Sequence, residues 1–146
     1  MAVYLGTSIN ESPTIVLPAG EKLEQARGIA LALQDGSVVK PAAGAHVIGL
    51  SLIETEETVE KGADVDIQIK DIGKWVAGEE ISAGTELATD AAGRAVTAKT
   101  GDFIVGVALG SASDAGTWVK VQIIKAGYKP AAVSNTEESD EEVSGQ

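Results

Sequence analysis

One histidine, His46, a run of carboxylates at Glu54, Glu56, Glu57 and Glu60, and scattered serines and threonines are the groups in this chain equipped for catalysis or metal binding. A nucleophilic hydroxyl needs a base beside it. The only imidazole lies in an apolar stretch at 46–53, and no GxSxG motif occurs, so a Ser–His–acid triad cannot be assembled. A lone strand histidine without a partner cluster reads as structural. The carboxylate run lacks the glycine-bearing ligand spacing of a calcium loop and reads as a solvated connection between strands. Asp64 and Asp66 point outward from one alternating strand, where charge protects an edge against unwanted pairing. No GxGxxG or GxxxxGK motif cradles a phosphate, and the chain has no cysteine for thiolate chemistry or disulfides. The expectation is a protein with no catalytic residue, no metal site and no cofactor.

The elements around these groups are therefore the informative part. Apolar residues make up 44% of the chain but aromatics only 3%, so Val, Ile, Leu and Ala must fill the core, and 17 glycines punctuate them. Many β-branched residues broken by glycine predict short strands and tight turns. At 146 residues the chain is of single-domain length. Its net charge of −11 argues against nucleic acid and anionic membranes as partners, since phosphates need a positive face.

An internal repeat organises these strands. The run GSVVKPAAGAHVIGLSL at 36–52 is echoed 57 residues later by GRAVTAKTGDFIVGVAL at 93–109, with Gly36, Val39, Gly44, Gly49 and Leu52 matching Gly93, Val96, Gly101, Gly106 and Leu109. Downstream, the alternating run 63–69 recurs at 117–123; upstream, Ala19-Gly20 with Leu23 aligns with Ala83-Gly84 and Leu87. The repeat predicts one β domain made of two related halves: a small β-barrel or a β-tulip or sandwich-like body. Its expected bounds are 17–130, with pseudo-repeats at about 17–76 and 77–130. Each half should hold two antiparallel strands joined by a polar loop, with Gly49 and Gly106 marking a bulge or a close backbone crossing. Shorter strands are expected at 14–17, 29–33, 38–39, 85–89 and 95–97. One short helix is expected at 21–27, with acidic residues near its start and Gly28 just past its end.

Two segments fall outside the body. Residues 1–16 form an amino-terminal arm whose Val3, Tyr4 and Leu5 are apolar, and a free apolar arm suits pairing with another chain. Residues 131–146 carry five carboxylates (Glu137, Glu138, Asp140, Glu141 and Glu142) and read as a disordered acidic tail. No basic leader precedes an apolar stretch and no window is long enough to span a bilayer, so synthesis in a cytoplasm is expected. Trp75 and Trp118 stand out in an aliphatic core. Each either plugs the end of the body or anchors a subunit contact.

The segment EISAGTELATDAAGRAVTAKTGDFIVGVALGSASDAGTWVKVQI resembles the carboxy-terminal part of the capsid cement, or head decoration, proteins of tailed bacteriophages. The shared pattern falls on Ala83-Gly84, Leu87, Asp90, Gly93, Val96-Thr97, 104–109, Ala115-Gly116, Val119 and Val121, and a looser first copy runs from Leu17 to Ile69. The resemblance implies a β body on the outside of an icosahedral shell, often trimeric, that bridges neighbouring major capsid subunits and is made in the host cytoplasm. It carries over no catalytic residue, and Val3, Tyr4, Leu5, Trp75 and Trp118 are the candidate contacts to capsid or sister subunit. Two other readings are a displayed surface-adhesion or carbohydrate-binding module, for which five aromatics make a poor platform, and a carrier domain of lipoyl type, for which the Met-Lys-Met hairpin tip is missing.

Overall fold

The computed structural model describes residues 11–132, and the arm residues Val3, Tyr4 and Leu5 and the acidic tail beyond position 132 lie outside the described part. Twelve strands run β1 (Thr14–Pro18), β2 (Leu23–Glu24), β3 (Ala30–Gln34), β4 (Ser37–Val39), β5 (Gly49–Ser51), β6 (Thr58–Val59), β7 (Asp64–Gln68), β8 (Asp71–Val76), β9 (Glu86–Thr89), β10 (Ala95–Thr97), β11 (Phe103–Ala108) and β12 (Trp118–Tyr128). They form two five-stranded sheets, ordered β1-β7-β5-β3-β4 and β8-β12-β11-β9-β10, and a two-stranded ribbon of β2 and β6. The two orders are the same under the substitution of each strand by its counterpart in the other half. Neither sheet closes on itself, so the body is an open double-sheet structure and not a closed barrel.

The pairing register gives the alignment residue by residue. Leu31 faces Gly49 as Leu87 faces Gly106, Gln68 faces Leu50 as Gln122 faces Val107, and Leu17 faces Val65 as Trp75 faces Val119. Ala19 bridges β4 in parallel as Ala77 bridges β10, and Gly20 N donates to Val38 O as Gly78 N donates to Ala95 O, both at 2.7 Å. The structural counterpart of Ala19-Gly20 is thus Ala77-Gly78, not the Ala83-Gly84 pair that the sequence suggests.

Gly49 and Gly106 are equivalent in space as well as in sequence. A Cβ on Gly49 would lie 2.2 Å from the Gln68 carbonyl oxygen, and one on Gly106 would lie 2.2 Å from that of Gln122. Two backbones cross here at a distance that only glycine permits. Beside the second crossing the pairing steps two residues along β11, from Ile104 to Gly106, and four along β12, from Gly127 to Ile123. Lys125 takes up this bulge with a φ of 50°. Its ammonium donates to the Ile48 carbonyl in the first half, and burial lowers its pKa from the ordinary 10.5.

No helix forms at 21–27. Leu23 and Glu24 pair instead with Val59 and Thr58, Gln25 adopts a φ of 53°, and Ala26 N donates to Glu57 O. Leu23 and Ala26 are fully buried, so the segment gains more from ribbon pairing and core packing than from an isolated helical turn of this length.

The halves share a core. Strand β8 stands in the second sheet, so the second half begins near position 71 and not at 77. Ala30, Val47 and Leu50 of the first half pack in one cluster with Trp75, Leu87, Phe103, Val105, Val119 and Val121 of the second. Backbone bonds stitch the junction: Ala30 N to Gly93 O at 2.8 Å, Gly44 N to Thr89 O at 2.8 Å and Phe103 N to Gly44 O at 3.0 Å. Within the first half, the buried Ser51 hydroxyl donates to Ala26 O and accepts from Ile29 N. Its counterpart, Ala108, has no such duty.

Two outcomes are expected. Gly49→Ala and Gly106→Ala each force a Cβ into a carbonyl and lower stability by about 1–3 kcal/mol in thermal or urea melts. Gly110→Ala, with open space around it, changes stability by less than about 0.5 kcal/mol. Because the Lys125 pKa is lowered on folding, the native chain releases this proton before the unfolded chain does. Stability from this group therefore rises with pH between the lowered value and 10.5. A comparison of wild type with Lys125→Met across that window should favour the wild type progressively as pH rises.

Candidate docking face

Strand β12 alternates buried Val119, Val121 and Ile123 with outward Trp118, Lys120 and Gln122, as a half-buried strand must. At its side lies the edge strand β8, which turns Ile72 and Lys74 outward and Gly73 and Trp75 inward. Register places Trp118 opposite Val76, Lys120 opposite Lys74 and Gln122 opposite Ile72. The outer face therefore carries two lysines directly across from each other, flanked by Ile72, which is 57% exposed, and Trp118, which is 44% exposed. Ile124, further along β12, is 45% exposed. Like charges directly opposed in a sheet cost a few tenths of a kcal/mol or more. The only ion pair among the described residues joins Lys129 to Glu86, so no carboxylate of the described residues pairs with either lysine.

The duplication provides an internal control for this face. The first-half counterparts of Lys74, Lys120 and Trp118 are Val16, Asp66 and Asp64. The same place on the same scaffold is acidic in one half and basic, aromatic and apolar in the other. The same strand pairing accommodates either choice.

Of the two tryptophans singled out by sequence as contacts, Trp118 lies on this face. Its ring rests on Gly28, where a Cβ would come within 2.1 Å of the ring, and Gly28 accordingly has a φ of +61°. Trp75 is fully buried: it plugs the core, and its indole N–H donates to Gly93 O at 2.8 Å. Val3, Tyr4 and Leu5 fall outside the described residues. His46 lies outside the strands and is exposed, with its ring packed edge-on against Phe103 at 4.6 Å between centroids. Phe103 is its repeat counterpart. Glu54, Glu56, Glu57 and Glu60 occupy the connection from β5 through β6 to β7, and among the described residues no group of three or more His, Cys, Asp and Glu is placed to hold a metal ion. Ile72, Lys74 and Lys120 were not singled out by sequence as contacts. Their signal is visible only after the two halves are aligned strand by strand, because β8 carries no obvious strand pattern of its own.

This is a duplicated β scaffold whose two halves carry chemically distinct outer faces. The chain belongs to the phage cement protein family, which matches residues 11–123. In fold it is similar to the amino-terminal base of head fiber gp8.5 of bacteriophage phi29, at a TM-score of 0.59 and 20% identity, over 80% of this chain and 97% of that one. No curated protein sequence matches the chain. It is thus a phage structural protein associated with the capsid.

Replacing each tryptophan separates plug from surface. Trp75→Ala should cost about 3–5 kcal/mol, as other buried aromatic truncations do. Trp118→Ala should cost less than about 2 kcal/mol, since nearly half of the side chain already meets water. Equal losses in urea melts would contradict the assignment.

Proposed function

We propose that this chain is a head decoration protein: a non-enzymatic, self-associating, trimeric cement that binds the outer surface of an expanded icosahedral shell and bridges neighbouring major capsid subunits. The observation that carries the reading is membership of the cement family over residues 11–123. The likeness of the fold to a phage head fiber base is in accord with it. So is a net charge of −11, which disfavours packaged nucleic acid as the partner.

The mechanism is mass action. A ligand that binds the expanded shell and not its disassembled subunits stabilises the shell by RT ln(1 + [L]/Kd) per site, about 2.7 kcal/mol at a hundredfold excess over Kd. Repeated over a shell, such increments oppose internal DNA pressure. Contact is made through Trp118 with Ile72, Lys74 and Lys120, where two uncompensated lysines suit an acidic patch on the shell. The arm residues Val3, Tyr4 and Leu5 supply a second contact, to the shell or to a sister subunit.

Purified protein added to expanded, undecorated heads should co-sediment with them and raise their disruption temperature. Lys74→Glu with Lys120→Glu should weaken that binding at least tenfold while leaving the fold's own melt nearly unchanged. Heads that melt identically with and without saturating protein would overturn the proposal.

A further inference from the structure

The chain has only two arginines, Arg27 and Arg94, and both line one cleft at the junction of the halves. Arg27 follows the β2 ribbon of the first half and Arg94 precedes β10 of the second. The cleft has a volume of about 190 Å³, and its other walls include Gln25, Val76 and Trp118, with Glu57 at its side. The place is built. Val76 N donates to Gly28 O at 2.9 Å across the junction, Trp118 is seated on Gly28, and Arg27 Nε donates to Thr55 O at 2.7 Å. That bond engages one of the five N–H groups of the guanidinium.

Neither arginine forms an ion pair among the described residues, although the chain carries 22 acidic side chains. Glu57, the acidic residue on the cleft, pairs with neither. Guanidinium groups offer planar, bidentate donation that matches a carboxylate, and an aromatic wall excludes water from one side of such a pair. Two guanidiniums from different halves that line one cleft with an indole suit carboxylates spaced along a peptide.

The geometry points to residues 137–142 of this chain, from the same or a second copy, as the occupant: the Arg27–Arg94–Trp118 cleft binds the acidic run Glu137, Glu138, Asp140, Glu141 and Glu142. Charge complementarity selects it, since no other six-residue window of the sequence holds as many carboxylates. Reach permits it. Trp118 and Tyr128 stand at opposite ends of β12, ten residue steps or roughly 33 Å apart. An extended chain from Ala132 to Glu142 spans roughly 33–36 Å. Only the far end of the run, at Glu142, can therefore just come back to the cleft of its own copy, whereas the whole run can enter that of a neighbour. This assignment is independent of which shell the protein decorates.

The test compares the full chain with a chain ending at Ala132, reading the indole N–H resonances of Trp118 and Trp75 by NMR at low salt. The Trp118 signal should differ between the two, and a synthetic peptide of residues 133–146 added to the shortened chain should move it saturably to the full-length position. Trp75 should stay put and report an intact fold. In Arg27→Gln with Arg94→Gln the peptide should bind at least tenfold more weakly, and 0.5 M NaCl should have a similar effect. A full-chain Trp118 shift that depends on protein concentration supports binding between copies, and one that does not supports binding within a copy. Identical Trp118 signals in full and shortened chains, or peptide binding that is unchanged by loss of both arginines, would overturn the assignment; the latter would place the peptide on Lys74 and Lys120 instead.

Discussion

At Gly49 and again at Gly106 a carbonyl oxygen of the neighbouring strand occupies the space where a side chain would begin. That contact brings β5 against β7 and β11 against β12 at equivalent points of the two halves. In each sheet β3 or β9 joins one side of this pair while β1 or β8 joins the other. Everything distinctive about the body follows from two such crossings set side by side. The core is chiefly aliphatic. Trp75, the large exception, is held by a bond from its indole to the turn of the opposite sheet edge.

The duplication is not a symmetric pairing of equals. Gly93 packs against Ile29 and Ala30 of the first half, whereas its counterpart Gly36 has nothing within 4 Å. Packing of this head-to-tail kind leaves the two halves with different free surfaces, and the sequence has diverged where they differ. Asp64, Asp66 and Val16 on one half stand where Trp118, Lys120 and Lys74 stand on the other. A scaffold whose strand pairing is held in common while its outward positions differ can present two chemistries from one fold. For a structural phage protein, that is the property that matters.

Much of this was legible in the amino-acid sequence, and the reasons for the failures are physical. The mostly β class, the two-half design and the equivalence of 63–69 with 117–123 followed from period-two alternation, which burial on one face imposes. Gly49 and Gly106 could be recognised because glycine in mid-strand demands an explanation. The helix at 21–27 failed because local propensity says nothing of Val59, some 35 positions away, which takes Leu23 into a ribbon. The match of Ala19-Gly20 to Ala83-Gly84 failed because the same dipeptide recurs at Ala77-Gly78, and only hydrogen bonds distinguish the two. The outer face stayed hidden for a related reason: Lys74 and Lys120 are 46 positions apart and become neighbours only through the register of β8 on β12.

The central claim is that the scaffold serves to lay the basic and aromatic face of the second half on the outside of a phage head. A cryo-electron reconstruction of expanded heads saturated with this protein tests it directly. The account predicts density on the exterior across boundaries between shell subunits, with Trp118, Lys74 and Lys120 turned toward an acidic surface beneath. Density confined to the interior, or exterior density with the β8–β12 face turned to solvent, would contradict it.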